Sequence, residues 1–126
     1  MPVTYTDAVK IARMAAVVSQ AGTTAVLEIG TAGMASVLAT IPLANPIAGA
    51  ATGAGVLTLS GFPRSDTAAD ATGTAAAARI RTATAGTDIV TGLTVGLSAS
   101  DIILDSLSIT TGQTVTLNSA VFTHAA

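Results

Sequence analysis

From residue 25 onward, apolar and polar positions mostly alternate in short runs, a period-two pattern that belongs to strands rather than helices. In Ala25–Ile29, Leu27 and Ile29 alternate with Val26 and Glu28. Further runs cover Ser36–Leu43, Val56–Ser60, Ala75–Thr82, Ile89–Leu97, Asp101–Asp105 and Thr114–Thr123. The alternation places Ala76, Ala78 and Ile80 inward, with Arg79 and Arg81 outward. It gives Ile89, Thr91, Leu93, Val95 and Leu97 one face, and likewise Val115, Leu117 and Val121. Turn chemistry separates the runs: Gly30–Gly33, Asn45–Pro46, Ala48–Gly55, Gly61–Asp66, Thr84–Asp88 and Thr110–Gln113. Before residue 22 the period is different. Ala8, Ile11, Met14, Ala15 and Val18 recur at helical spacing within Thr6–Gln20. Thr4 or Thr6 is placed to cap this helix, Asp7 sits in its first turn, and Gly22 stops it.

The pattern predicts a mainly β protein: an antiparallel, jelly-roll-like β-sandwich over residues 23–126, preceded by an N-terminal helical arm over residues 1–22. The arm suits either a cap on the sandwich or a hook for a partner. Ala68–Ala78 is the one ambiguous stretch. Its alanines favour a helix, while Thr72-Gly73-Thr74 opposes one.

Composition changes the picture at the surface. Of 126 residues, 27 are Ala, 21 Thr and 12 Gly, and only 10% are charged, against about 25% in an average domain. A folded monomer of 12.2 kDa exposes roughly 6,000 Å², which leaves one charge per roughly 500 Å². A surface of Thr, Ser, Gly and Ala loses little hydration when a protein covers it, because few ions are stripped of water. This points to assembly, with a neutral, Thr-coated monomer as the alternative.

The same numbers exclude several classes. The stretch from Ile29 to Pro63 carries no charge, but its prolines and glycines rule out a membrane-spanning helix. The N-terminus lacks the apolar length of a signal peptide. With a net charge of −2 and no basic stripe, the chain is not expected to bind nucleic acid. There is no Cys, and the single His124 lies near the end. Gly49–Gly55 resembles a phosphate cradle only until Val56, where a P-loop needs Lys. The acid pairs Asp66/Asp70 and Asp101/Asp105 fit turn caps first and a structural cation second. Phe62, beside Pro63, either plugs an end of the fold or faces a ligand. No enzymatic activity and no cofactor are expected. The candidate partner-binding residues are Tyr5, Lys10, Arg13, Arg64, Arg79 and Arg81, since Arg and Tyr are favoured at protein interfaces.

Three stretches carry a resemblance: Thr4–Arg13 leading to Val26–Thr31; Ser65–Ala75 with Ala78-Arg79-Ile80; and Asp101–Val115 with a last Phe-Thr strand at Phe122. Together they resemble a group of small virion proteins of tailed bacteriophages. The chain departs from that pattern at Ala32-Gly33-Met34, where the group has a Pro turn, and at Ala75–Ala78, where it has aromatics. The resemblance implies a structural role in the virion, by analogy with capsid decoration (cement) proteins. The expected partners are the major capsid protein and further copies of the chain as a homo-oligomer. The location implied is the capsid surface of a particle assembled in a bacterial cytoplasm. A tail, collar or fibre-associated component is the alternative.

Overall fold

Thr6 stands in extended backbone, and its hydroxyl accepts a bond from the Val9 amide (3.4 Å) to open α1 (Asp7–Ala21). Gly22, at φ +69°, closes it with a backbone that side-chain-bearing residues avoid. These features belong to a computed structural model, which describes residues 5–53, 55–84 and 86–123. Met14 and Ala21 are buried, and Ile11, Val17 and Val18 pack beside them. Ala8 and Ala15, expected inward, are exposed. The helix is rotated to bury Val17 instead, which removes more apolar surface from water than either alanine can. It lies against the sheet as a cap.

Among the described residues, ten strands follow: β1 (Val26–Gly30), β2 (Val37–Pro42), β3 (Val56–Thr58), β4 (Arg64–Asp66), β5 (Gly73–Thr74), β6 (Ala77–Arg81), β7 (Asp88–Gly96), β8 (Ile102–Leu104), β9 (Ser108–Ile109) and β10 (Val115–Thr123). Eight of them form one sheet in the order β2-β1-β6-β7-β8-β10-β3, with β4 also paired to β10; β5 and β9 form a separate two-stranded sheet. The main sheet is mixed, because β7 and β8 run parallel while its other pairs are antiparallel.

The expected antiparallel sandwich is therefore corrected to one large curled sheet, a half-barrel without two clearly separate layers. The physical reason is a set of bulges, at Ile29/Gly30, Ala78–Arg81 and Leu117/Ser119. Each adds local twist and bend, so the sheet folds over its own core. That core is aliphatic: Leu27, Ile29, Leu38, Ile41, Ile80 and Leu117 are fully buried, while Phe122 sits at its margin.

The bulges also explain where the alternation misleads. In β10 the irregularity after Leu117 shifts the phase, so Ala120 and Phe122 turn inward and Val121 does not. In β7, Leu93 faces Ala78 but Val90 faces Ile80, with Gly92 at φ +74° between them. Of the five-residue face expected there, Leu93 is buried and Ile89 and Val95 pack half-buried against the core, while Thr91 is exposed and Leu97 is 58% exposed. Ala76 precedes β6 and is exposed, whereas Ala78 and Ile80 are buried as expected. Ala68–Ala78 forms no helix. Arg64–Asp66, expected within a turn, is strand β4.

Candidate functional site

The outer face of β1, β6 and β7 carries a cluster built by register. Glu28 of β1 lies opposite Arg79 of β6, and Arg81 lies opposite Asp88 of β7. Glu28 is buried, at 4% exposure. Arg79 Nε donates to Glu28 Oε1 at 2.7 Å, and Arg81 Nη1 lies 3.6 Å from the same oxygen. Arg81 Nη2 donates to the Gly86 carbonyl at 2.6 Å. Its Nε is 2.9 Å from Asp88 Oδ1 but makes no hydrogen bond, so that contact is Coulombic rather than directional. Two arginines and two carboxylates cancel, so this cluster is neutral, with the buried Arg81 Nε left without a hydrogen bond. The alternation implied that Arg79 and Arg81 face outward, and they do share the outer face. Their partner Glu28 is what sequence reasoning missed. Its signal was the chain's one Glu within an uncharged strand, matched by two Arg at strand spacing i, i+2.

The remaining candidates lie apart from this cluster. Arg64, on β4, donates from Nη1 to the Pro42 carbonyl of β2 at 3.2 Å. Lys10 and Arg13 are on α1, and the Arg13 guanidinium stacks 4.7 Å from the centre of the Tyr5 ring. Tyr5 and Arg13 thus meet at the start of α1 with Lys10 on the same helix, Arg79 and Arg81 share the outer sheet face, and Arg64 sits at the β2 edge. The six do not form one patch.

The acid pairs hold the backbone. Asp66 Oδ2 accepts from the Thr40 amide and Oδ1 from the Ala68 amide, both at 3.0 Å. Asp70 Oδ2 accepts from the Thr40 hydroxyl at 3.3 Å. Asp101 Oδ2 accepts from the Thr94 amide (3.0 Å) and hydroxyl (3.1 Å), while its own amide donates back to Thr94 Oγ1. Asp105 Oδ1 accepts from the Thr116 amide at 3.3 Å. Among the described residues, no group of three or more His, Cys, Asp or Glu is arranged to hold a metal ion. His124 lies outside the described residues. Phe62 is half-buried and packs against the core. The Gly-rich segment ends in a turn, where the Gly55 amide donates to Thr52 O and residues 52 and 56 bridge.

Grooves open on the surface among the described residues, and two of them are well formed. One, of about 540 Å³, runs between α1 (Arg13, Val17, Gln20) and the β6–β7 connection (Thr82, Thr87, Asp88). The other, of about 410 Å³, lies over Met34, Ala77, Arg79 and Gly92. Neither gathers a nucleophile with a base. Among the described residues, no helix is long and apolar enough to cross a membrane. Compared with family models, curated proteins and solved structures, the chain matches none.

Proposed function

We propose that the chain is a structural protein of a tailed-phage virion, a capsid decoration protein that lies across major capsid protein subunits and stabilises the head. One observation carries this reading. The charges of the β-domain (Glu28, Arg64, Asp66, Asp70, Arg79, Arg81, Asp88, Asp101 and Asp105) are hydrogen-bonded to or ion-paired with the protein's own groups. Those outside this internal set, Asp7, Lys10 and Arg13, all lie on α1. A molecule exposing 6169 Å² thus presents a skin of hydroxyls, methyls and backbone with few ions to dehydrate.

Covering such a skin with another protein gains apolar burial at little electrostatic cost. Many copies on one shell multiply weak contacts. In this reading the protein acts passively, without a cofactor, as copies next to one another on the outer surface of a head made in the bacterial cytoplasm. The curled sheet is then a departure from the jelly-roll-like sandwich of such clamps.

The test is co-sedimentation with purified heads and with purified tails, read as copies per particle. Binding to heads that persists as salt is raised is the expected result, since a neutral interface is little screened. Binding to tails alone moves the protein to the tail, collar or fibre. No affinity for either particle overturns the proposal.

A further inference from the structure

The curl of the sheet brings its edge strand β2 beside β4, yet the two are not joined by a backbone ladder. The outward-facing groups of β2 are instead taken by successive residues of the segment Arg64–Asp70. Arg64 Nη1 donates to Pro42 O (3.2 Å), Asp66 Oδ2 accepts from the Thr40 amide (3.0 Å), and the Asp70 amide donates to Leu38 O (2.7 Å). Asp70 Oδ2 adds a bond from the Thr40 hydroxyl. Pro42 contributes no amide of its own. On its other side the segment is fixed, because β4 pairs with β10 and Ala69 exchanges bonds with Gly112 and Gln113.

We propose that Arg64–Asp70 is an edge guard: a strap whose side chains occupy the β2 edge and so prevent that edge from pairing with a strand of a second copy. An unpaired edge is a template for association, and charge placed on it is a common defence. A chain with only twelve charged residues places three of them within these seven positions, at the seam where the sheet would otherwise present free backbone. The opposite edge, β3, is covered differently, by residues 47–52 through the Ala48–Leu59 and Thr52–Val56 bridges. Because β4 stays paired to β10, the contacts of the segment with β2 can break without opening the β1–β2 ladder. This inference does not rest on the virion reading.

The test compares wild type, Asp66→Ala and Asp66→Asn by amide hydrogen exchange and sedimentation velocity over a range of concentrations. In Asp66→Ala the Thr40 amide is expected to exchange at least about tenfold faster. The Leu43 amide, bonded to Ala25 O within the other ladder, should change far less. The same variant should shift to larger species than wild type as concentration rises. Asp66→Asn keeps one acceptor oxygen for the two amides that Asp66 holds, those of Thr40 and Ala68, and should fall between wild type and Asp66→Ala in both assays. Asp70→Ala removes only the 3.3 Å bond and is the milder variant should Asp66→Ala fail to fold; it should accelerate the same amide by a smaller factor. A Thr40 amide that keeps its wild-type rate in the folded variants, or an Asp66→Ala protein that sediments as wild type at every concentration, overturns the proposal.

Discussion

Replacing Glu28 with Ala tests the ion cluster on the outer face most directly. The substitution removes a carboxylate that is 4% exposed and leaves two guanidinium groups without it. Breaking a fully buried pair costs about 3–5 kcal/mol. Two features reduce that here. The Arg79 and Arg81 side chains keep 21% and 22% exposure, so water partly replaces the lost partner. Arg81 also retains Asp88 and the Gly86 carbonyl, so the loss falls mainly on Arg79. The expected destabilisation is about 2–3 kcal/mol, equivalent to a fall in Tm of about 10 °C for a domain of this size. Urea unfolding followed by circular dichroism measures it. The double variant Glu28→Leu/Arg79→Leu removes both members of the pair and should lie within about 1 kcal/mol of wild type. Glu28→Gln keeps an acceptor and should fall between. If Glu28→Ala unfolds within about 0.5 kcal/mol of wild type, the cluster is ornamental and its role in holding β1 to β6 is refuted.

Two further substitutions test the packing. Met14→Ala empties the contact between α1 and the core and should cost about 2–4 kcal/mol, seen as loss of amide protection along α1 before the sheet opens. Gly30→Ala places a Cβ 2.6 Å from the Ser36 carbonyl oxygen and 2.9 Å from Met34 Sδ; backbone cannot yield there as a side chain can, and a loss of about 2 kcal/mol in the same urea assay is expected.

Much of the fold is legible in the sequence because local signals and tertiary burial agree. α1 has its cap, its stop and Ile11, Met14 and Val18 at helical spacing, and β1 and β2 are apolar-rich runs between clear turns. The alternation fails where an added residue changes which side faces inward, as at Gly92 in β7 and after Leu117 in β10. A bulge of this kind depends on the partner strand as well as on the residues that bulge; Gly92 is a local sign of the one in β7, whereas the apolar run around Leu117 carries no glycine to mark the other. β4 was hidden for a related reason: Arg64-Ser65-Asp66 has no apolar face, and it becomes a strand only because β10 supplies the ladder. The surface residues were found as residue types, but their partners were not. Arg79 and Arg81 needed Glu28, which lies some fifty positions away and is fixed by the β1–β6 register.

The position of β10 has a consequence for how the protein is made. Residues 115–123 pair with β8 on one side and with β4 and β3 on the other, so until β10 leaves the ribosome β4 lacks its ladder partner and β8 and β3 each lack one of their neighbours. Nascent chains halted short of residue 115 are left with those strand edges bare, in reach of proteases and chaperones. Closure over such long stretches of chain makes folding slow for its size, and the sheet cannot be completed before β10 is made.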